Sequence, residues 1–469
     1  MNPVSATTPV DTSRDEPLLR TRYRRLFVAA MFIVCLFNFA DRAVFAVLAQ
    51  TIKQEFSLSD FEIGILQGLS FAILYAGLGL PIGRLAERTS RIRIVAIATM
   101  LWSAATFTCG LTANFAQLML ARVGVGIGEA GFMPPTASLV ADHFPRARRA
   151  SIIALIMIGS PVGLFVGSIV GGAVAQTWGW RYAFFALGIP GLLTGVLLLL
   201  VLREPSRGLV DGAPPAVRAP PDFKAFMREV ARKKALLFVI LGGGIAGFGM
   251  TSISQFLAVF LARAHHMPVR EAAAYYGSIS ALSLALGLLI GSFGTDWLAK
   301  RDGRWPAWGA AFGLCAAPFI YWVAFTTQSK PTSSVLLVLA GTVMLMFYGP
   351  TQGMIQNMLE PRMRATGSAL FGVLYTLIGA GLGPAFVGGM SDHMARKAFS
   401  GIDFLTQCPG GLHAATMSAA LDQACRNASI QGLRSALMIA VCVLFVASGF
   451  YLLAARSLRE HMYRAPVND

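Results

Sequence analysis

Apolar stretches of about 20 residues alternate along the chain with short polar connections. A stretch of this length crosses the hydrocarbon core of a bilayer as an α-helix, which satisfies its own backbone polar groups there. The pattern predicts twelve membrane-spanning helices in an all-α membrane protein, and the even number places both termini on one side. The predicted spans are 26–50, 61–83, 93–112, 115–141, 150–176, 182–202, 235–262, 271–298, 305–326, 333–357, 365–391 and 432–455.

A stretch of different composition separates the first six spans from the last six. Residues 203–234 hold five prolines and eight basic residues, which is typical of a linker, and residues 223–230 predict a short interfacial helix. The predicted organisation is a cytoplasmic segment at 1–25, a six-helix bundle at 26–202, a cytoplasmic linker at 203–234, a second six-helix bundle at 235–456 with a long outer loop at 393–431, and a cytoplasmic tail at 457–469.

The two halves resemble weak copies of each other. A Pro-Arg-x-Arg motif at Pro145 precedes the fifth span, and one at Pro361 precedes the eleventh. Glycine and proline recur later in both spans, as Gly159-Ser-Pro161-Val-Gly163 and as Gly383-Pro384 with Gly388. Repeats of six helices are a common plan of transporters, with the solute site near the midplane between them.

Glycines at every fourth position form one smooth stripe on the predicted fifth span. Such spacing lets another helix backbone approach closely. The stripe alone favours a static contact, whereas Pro161 adds a bend that suits an interface which rocks. The stripe consists of Gly159, Gly163, Gly167 and Gly171.

The distribution of charge indicates a membrane protein and excludes a nucleic-acid partner. Only 13% of the residues are charged, and the mean hydropathy is +0.62. The net charge of +16 comes mainly from Lys and Arg in the termini and in every second connection. Because basic residues favour the cytoplasmic side, we expect both termini in the cytoplasm and the protein in the cell's inner (plasma) membrane.

No pattern for catalysis, metal binding or an organic cofactor stands out. The segment from Gly126 to Gly131 matches a dinucleotide-binding fingerprint, but that fingerprint needs a preceding strand, and this segment lies in a predicted span. No metal-ligand spacing occurs among the six cysteines. The sequence therefore predicts a protein that is not an enzyme and holds no metal.

Four ionisable residues lie deep in the predicted spans, where each costs about 2.5–3.5 kcal/mol. Asp41 and Arg42 follow Asn38 in the first span, and Arg122 and Glu129 share one face of the fourth. One interpretation is a permanent ion-pair network between the two helices. The other is a switch, in which a carboxylate that loses its arginine partner takes up a proton and frees the arginine for an anionic head group. Protons would then be the coupling ion.

The second half offers polar side chains among many Gly, Phe and Met residues. Each of these side chains either hydrogen-bonds to another helix or contacts the solute. An apolar wall opposite the charges suits an amphipathic solute, since Met and Phe adapt to irregular shapes. The candidates for the cavity are Gln255, Tyr348, Gln352 and Tyr375, with Thr251, Ser254 and Gln356 as further polar positions.

Cys408 and Cys425 lie in the predicted outer loop, unlike the other four cysteines. A disulfide between them is one possibility in an oxidising compartment, and two free thiols are the other.

Several motifs together resemble the major facilitator superfamily. Gly83-Arg-Leu-Ala-Glu87-Arg88-Thr-Ser-Arg91 is similar to that family's loop signature between the second and third helices, and Gly291 through Arg301 is similar to a second copy. The resemblance implies a cytoplasmic gating relay rather than solute ligands. The gating residues that it implies are Gly83, Glu87, Arg88, Arg91, Asp296, Arg301 and Pro161.

Asn38-Phe-Ala-Asp41-Arg42 and Arg122 through Glu129 resemble the Spinster branch of that superfamily, which is linked to sphingolipid and lysophospholipid movement. The chain is therefore expected to be a monomeric secondary active transporter that moves an amphipathic or anionic solute, such as a lysolipid or sphingolipid, by proton-coupled alternating access. Membrane lipids are its other expected partners. A facilitator or multidrug or organic-anion exporter on the same fold is the alternative, followed by a non-transporting receptor or a membrane enzyme.

Overall fold

A computed structural model of the chain describes residues 18, 20–207, 209–210, 223–360, 363–401, 403–411 and 419–462. Within these ranges the regular structure is helical, without any strand. The predicted segment 1–25, the linker 203–234, the outer loop 393–431 and the tail 457–469 therefore lie partly outside the described residues.

The first half consists of helices that follow each other with short connections. Within its described part they are α1 (Thr21–Glu55), α2 (Asp60–Gln67), α3 (Leu69–Arg88), α4 (Arg91–Cys109), α5 (Phe115–Glu129), α6 (Met133–His143), α7 (Arg146–Met157), α8 (Gly159–Trp178) and α9 (Trp180–Val201).

A short helix in the linker and the helices of the second half follow. Two π-helical segments, π1 (Ile290–Gly294) and π2 (Tyr375–Leu382), continue α12 and α17. The described helices are α10 (Phe223–Arg232), α11 (Lys234–Ala264), α12 (Val269–Leu289), α13 (Thr295–Ala299), α14 (Trp305–Thr326), α15 (Lys330–Leu345), α16 (Tyr348–Met358), α17 (Arg364–Leu374), α18 (Gly383–Ala398), α19 (Phe404–Gln407), a 3₁₀ turn at Pro409–Gly411, and α20 (Ala419–His461).

Eleven helical stretches among the described residues are long and apolar enough to cross a membrane. The predicted fourth span, 115–141, is instead divided into α5 and α6. Proline occupies the first turn of α6, where a missing N–H costs no helix hydrogen bond, and Pro134 and Pro135 therefore begin a new helix. The protein is a multi-pass helical membrane protein, and the count of twelve spans stays a prediction.

The glycine stripe of α8 packs against α1. A Cβ added at Gly163 would lie 2.3 Å from the Leu36 carbonyl oxygen, and one at Gly167 would lie 2.5 Å from Ala40 Cα. The close approach predicted from the spacing is therefore a contact within the first half, not the surface on which the two halves meet. The helix is interrupted between α7 and α8, just before Pro161. Proline lacks the N–H that would donate to the Met157 carbonyl oxygen.

The two ends of the helical bundle differ. We call the end with Thr21, Arg91 and His461 the terminus face, and the end with Ser59 and Cys408 the loop face.

Close contacts between the two halves lie toward the loop face. A Cβ at Gly64 would lie 2.3 Å from the Pro384 carbonyl oxygen, and one at Gly388 would lie 2.1 Å from that of Asp60. In the parts of α3, α16 and α17 nearer the terminus face, a Cβ at Gly77, Gly353 or Gly372 would meet no atom within 4 Å. The two halves are thus in close contact at the loop face. Toward the terminus face there is open space beside α3, α16 and α17.

Candidate functional site

Arg42 of α1 and Glu129 of α5 form an ion pair inside the first half. The Arg42 Nε donates to Glu129 Oε2 at 2.8 Å, and Arg42 Nη2 contacts the same oxygen. The Glu129 side chain is fully buried, whereas the Arg42 side chain keeps 28% of its surface exposed. Glu129 Oε1 has no hydrogen-bond partner among the described residues. The pair therefore presents an accessible guanidinium and a carboxylate with a free acceptor.

Aromatic rings surround the Arg42 guanidinium. Its central carbon lies 5.3 Å from the ring centroid of Phe39, 4.7 Å from that of Phe71 and 5.6 Å from that of Tyr75. Cation–π attraction and apolar contact hold the planar group in one orientation. Sequence reasoning missed Phe71 and Tyr75, because aromatic residues are common in membrane helices and no pattern marks these two.

Arg122 and Asp41 lie beside this pair but bond to other groups. The Arg122 Nε donates to the Leu66 carbonyl oxygen at 3.2 Å, and its guanidinium lies 4.5 Å from the centroid of the Phe45 ring. Asp41 accepts a hydrogen bond from the Thr106 hydroxyl at 3.2 Å through Oδ2, while its Oδ1 has no partner among the described residues.

Electrostatic interactions join Asp41, Arg42, Arg122 and Glu129, which we call the central charge cluster. Arg122 interacts with both acids and with Arg42, and Asp41 also interacts with Glu129. All but Arg42 are at most 4% exposed, as is Asn38, one turn before Arg42 on α1. The structure thus brings the four predicted charges together, with Arg42 as the partner of Glu129.

The second half contributes three rings opposite the cluster, which we call the aromatic wall. Tyr348 of α16 lies 5.7 Å from Tyr375 and 6.2 Å from Phe371, measured between ring centroids. The Tyr375 hydroxyl donates to the Met250 sulfur at 3.0 Å. Tyr375 also interacts electrostatically with Arg42, so the wall and the cluster border the same region.

A π-helical turn shapes the part of the second half that begins at Tyr375. Such turns free a backbone carbonyl and are frequent at functional sites. The Gly379 carbonyl oxygen of π2 accepts from the Gly383 backbone N–H and also from the Thr251 hydroxyl, at 2.7 Å. Of the remaining candidates, Gln352 hydrogen-bonds the Tyr348 side chain, and the Gln255 backbone carbonyl accepts a hydrogen bond from the Gln67 side chain at 3.1 Å.

A second group of buried charges lies at the loop face, where sequence reasoning expected none in the second half. Asp60 of α2 accepts hydrogen bonds from Lys53 at 2.7 Å and, through both carboxylate oxygens, from Arg263 of α11 at 2.7 and 2.8 Å. Ser391 of α18 donates to Asp60 at 2.6 Å. Asp392 accepts from the backbone N–H groups of Asp60 and Phe61 at 3.0 and 2.9 Å.

We call Lys53, Asp60, Arg263 and Asp392 the loop-face cluster. Each is at most 9% exposed, and the cluster joins α1 and α2 of one half to α11 and α18 of the other. The predicted seventh and eleventh spans end just before Arg263 and Asp392. The sequence pattern therefore places both residues in polar connections, where charged side chains are common. In the structure both helices extend past them.

The sequence profile of the Major Facilitator Superfamily matches residues 31–384, about three quarters of the chain. The chain is a member of that superfamily. It is a transporter rather than an enzyme, and its relatives place it in the Spinster branch.

Relatives in bacteria and animals share most of the chain's length. An MFS-type efflux pump of Mycolicibacterium smegmatis is 32% identical over 368 residues, covering 78% of this chain and 84% of the relative. The sphingosine-1-phosphate transporter SPNS2 of Xenopus tropicalis is 26% identical and covers 84% of this chain and 80% of its own length.

Solved structures include a bacterial homologue of the human lysosomal transporter Spinster in an inward-facing, unoccupied conformation. It is 31% identical with a TM-score of 0.83, covering 96% of this chain and all of the other. The nucleoside transporter NupG, at 13% identity and a TM-score of 0.62 over 93% of this chain and all of its own, shares the fold alone.

In this Spinster-branch transporter, Arg91 of the superfamily's loop signature forms an ion-pair network at the terminus face. Arg91 is 1% exposed, contacts Asp142 and donates to Glu204 at 2.7 Å. Glu204 also accepts from the Ser90 hydroxyl at 2.9 Å, which fastens the start of the linker to α4. The sequence indicated Arg91 but missed Asp142 and Glu204, which are distant in the chain and have no motif of their own.

The other predicted gating residues have fewer described contacts. Arg88 is exposed, Gly83 is partly buried, and the side chain of Glu87 lies outside the described residues. In the second half Asp296 and Arg301 are exposed, and the Arg301 guanidinium stacks on the Trp297 ring at 4.8 Å. The gating role of these residues stays a prediction.

Cys408 and Cys425 are joined by a disulfide, with their Cα atoms 5.6 Å apart. The bond ties the segment at Phe404–Gly411 to α20 of the second half. The same segment touches the first half, since a Cβ at Gly410 would lie 3.1 Å from Gln54 Cα. A cavity of about 200 Å³ lies between this segment and Lys53, Ser59 and Glu62.

Proposed function

We propose that the protein is a secondary active transporter of an amphipathic or anionic solute, with a lysolipid or a sphingolipid as the first candidate. The Arg42–Glu129 pair carries the proposal, because it offers a partly exposed guanidinium held by a carboxylate inside the membrane. An anionic head group competes with Glu129 for Arg42 through charge-assisted hydrogen bonds. The aromatic wall accepts the apolar part of the solute.

Protons are the proposed coupling ion, and Asp41 and Glu129 are the proposed proton sites. Each carboxylate is buried and keeps one oxygen without a hydrogen-bond partner among the described residues, so each has room for a proton. When the head group takes Arg42, Glu129 is left without its closest counter-charge in an apolar environment and gains a proton. The alternative, a permanent ion-pair network, would leave transport insensitive to a proton gradient.

The orientation in the membrane is also part of the proposal. Lys and Arg residues are frequent on the terminus face, as in Arg22, Arg88, Arg93 and Arg304. The positive-inside rule then supports both termini in the cytoplasm and the loop face on the opposite side, and the proposed location is the plasma membrane. One chain supplies both halves of the cavity, which supports a monomer as the working unit.

Flux measured in proteoliposomes tests the proton proposal. We expect a pH gradient to drive movement of a fluorescent lysophospholipid, and we expect Asp41→Asn and Glu129→Gln to lose that stimulation. Glu271→Gln, which alters an exposed ion pair with Lys330, is the matched control and should keep it. A full pH response in both central variants would refute proton coupling through these acids.

Arg42→Ala tests the site for the head group. We expect about tenfold or greater loss of affinity for an anionic lysolipid, since a hydrogen bond to a charged group is worth about 1.5–3 kcal/mol. A neutral amphiphile of equal chain length should lose much less. Equal losses for the two would indicate that Arg42 only supports the fold.

A multidrug or organic-anion exporter is the second candidate, and the efflux pump of Mycolicibacterium smegmatis at 32% identity favours it. A thermal-stability screen of the purified protein against lysolipids, sphingolipids and organic anions, across pH, separates the two. Stabilisation by unrelated organic anions but by no lipid would support the exporter.

A further inference from the structure

Basic side chains meet at the loop-face end of the second half, on helices that do not carry the central charge cluster. His265 is the residue that follows α11, Lys330 is the first residue of α15, and Arg434 lies on α20. His265 interacts electrostatically with Lys330, Arg434 and His266, and all three interactions are repulsive toward its protonated form. An anion at this place would therefore meet positive charge from three parts of the chain.

Aromatic contacts join the end of α11 to the end of α14. The His265 ring lies edge-on to the Phe260 ring, with 6.0 Å between the centroids. The Phe260 ring in turn lies 5.0 Å from that of Phe325, the second-to-last residue of α14. Because these rings pack inside the second half, the position of His265 is fixed relative to α14.

Arg434 lies beside the same part of α14. The Trp322 indole N–H donates to the Met438 carbonyl oxygen at 3.1 Å, and Met438 is about one helical turn after Arg434. The Arg434 side chain is partly buried, and its Nε has no hydrogen-bond partner among the described residues. A buried donor on a charged group without an acceptor is unfavourable, so this N–H is available to an oxygen of a ligand.

His265 offers a second nitrogen without a partner. The residue is 7% exposed, and within the described part of the chain its Nε2 has no hydrogen-bond partner, while the ring hydrogen-bonds the Gln328 backbone. Burial, followed by repulsion from Lys330, lowers the pKa of His265 below its ordinary value. An anion next to the ring would offset both effects and accept a hydrogen bond from the protonated Nε2.

Lys330 differs from the other two basic residues because it has an acidic partner. Its Nζ lies 3.1 Å from a carboxylate oxygen of Glu271, on the first turn of α12. This pair adds little net charge, which leaves Arg434 and a protonated His265 for an anion. A phosphate diester fits them, since its free oxygens match the planar donors of a guanidinium.

The depth of this site along the helices corresponds to lipid head groups. The predicted seventh span ends at residue 262, three positions before His265, and the predicted twelfth begins at residue 432, two positions before Arg434. Both side chains therefore lie where apolar sequence changes to polar sequence, at the edge of the hydrocarbon core.

An exposed apolar surface continues from this edge along α14. Phe319 and Val323 are 56% and 53% exposed. The Phe319 ring also lies 5.3 Å from that of Phe445 on α20, so the seam between α14 and α20 is apolar. Acyl chains gain from covering such a surface, whereas free phosphate has no group that could use it.

We propose that His265 and Arg434 bind the phosphate of an anionic phospholipid in the leaflet at the loop face, with its acyl chains along the seam between α14 and α20. This lipid site is separate from the solute site and does not depend on the proposed transport function. Arg434 supplies the guanidinium, and His265 supplies the Nε2 donor when it carries a proton. Contact with phosphate stabilises the protonated ring, so the affinity for the lipid increases as the pH falls.

Binding of a radiolabelled short-chain phosphatidylglycerol to the purified transporter in detergent, measured by scintillation proximity, tests the guanidinium. We expect Arg434→Gln to weaken binding about five- to tenfold, because it removes a hydrogen bond to a charged group, and Arg434→Lys to keep most of the affinity. Arg426→Gln is the matched control on the same helix, since Arg426 already pairs with Asp422 at 2.8 Å, and it should bind like the wild type. The loss in Arg434→Gln should be the same in an Arg42→Ala background, in which the solute cavity attracts anions less.

The role of His265 is tested by pH. Phosphatidylglycerol keeps its negative charge from about pH 8 to about pH 5, the range in which histidine normally gains its proton. We expect the wild type to bind the lipid about threefold more tightly at the lower pH. His265→Asn should match the wild type at the higher pH and lose this gain, because the other ionisable groups around the ring, Lys330, Glu271, His266 and Arg434, are unchanged in the variant.

Competition distinguishes a lipid from a free anion. Inorganic phosphate, and phosphatidylcholine of the same chain length, should each displace the labelled lipid far less well than unlabelled phosphatidylglycerol does. Displacement by inorganic phosphate at an equal concentration would overturn the assignment to a lipid. Equal affinity of Arg434→Gln and the wild type, or an unchanged pH response in His265→Asn, would show that these side chains do not form the site.

Discussion

Buried charges in this transporter are held by partners on other helices rather than by their neighbours in the chain. Arg42 contacts Glu129, Asp60 contacts Arg263, and Arg91 contacts Asp142, and the members of each pair are at least 51 positions apart in the chain. Removing one member leaves the other charged and buried, which typically costs about 3–5 kcal/mol. Such ion pairs therefore fix the relative positions of the helices. Loss or exchange of an ion-pair partner has a large effect on the free energy of the folded state.

Arg91 offers a direct measure of this effect at the terminus face. We expect Arg91→Ala to lower the thermal unfolding midpoint of the purified protein markedly, because it removes the buried guanidinium that contacts Asp142 and Glu204, and breaking a buried ion pair typically costs about 3–5 kcal/mol. Arg93→Ala removes an exposed arginine two residues away and should leave the midpoint unchanged. Equal midpoints for the two variants would contradict the network.

The sequence identifies some of these residues and misses others for a physical reason. Asp41 and Glu129 stand out because apolar residues surround them on both sides in the chain. Asp60 and Asp392 lie at the ends of apolar stretches, where a charge is ordinary and is expected to reach water. Their burial depends on contact between the two halves, which no local pattern records.

Interruptions of the helices lie beside the proposed solute and proton site. Span two breaks at Gly68 beside the central charge cluster, the predicted fourth span breaks just after Glu129, and π2 begins at Tyr375 of the aromatic wall. The sequence predicted continuous spans at these places, since apolar length does not reveal a local change of helix geometry. Pro134 and Pro135, after Glu129, were the one feature of the sequence that indicated a helix interruption there.

Two neighbouring glycines of α18 test how tightly the halves close. A Cβ at Gly388 would lie 2.1 Å from the Asp60 carbonyl oxygen, whereas one at Gly389 would lie 3.3 Å from the Phe61 ring, which can rotate. Overpacking costs about 1–3 kcal/mol, so we expect Gly388→Ala to reduce flux about tenfold or more and Gly389→Ala to change it little. Full flux in Gly388→Ala would show that the loop face need not close this tightly.

Across the whole molecule, the halves share a plan but differ in their side chains. The first half holds the central charge cluster, and the second holds the aromatic wall, as expected from the scarcity of deep charges there. The family and the pairing of charged and apolar surfaces were therefore accessible from the sequence. The loop-face cluster was not, because it belongs to neither half alone.

The disulfide tests how much the loop-face segment adds to the stability of the whole protein. Closing a loop of this length, with a sequence separation of 17, contributes about 3 kcal/mol in the chain-entropy model. We expect the double variant Cys408→Ser and Cys425→Ser to unfold at a lower temperature. A reductant should lower the wild-type midpoint to the same value and leave the double variant unchanged.

Cys315→Ser is the control for that experiment, because Cys315 is a free, exposed cysteine. Its midpoint and its response to reductant should match the wild type. Identical unfolding of the double variant and the wild type would show that the bond adds nothing to stability.

The segment at Phe404–Gly411 belongs to the second half yet lies over the end of α1 in the first. In the proposed transport cycle, opening of the loop face would separate this segment from Gln54. A binder raised against the junction, such as a nanobody that grips both sides, would arrest the cycle without competing for the cavity. Inhibition of that kind would be insensitive to solute concentration, which sets it apart from any drug that mimics the cargo.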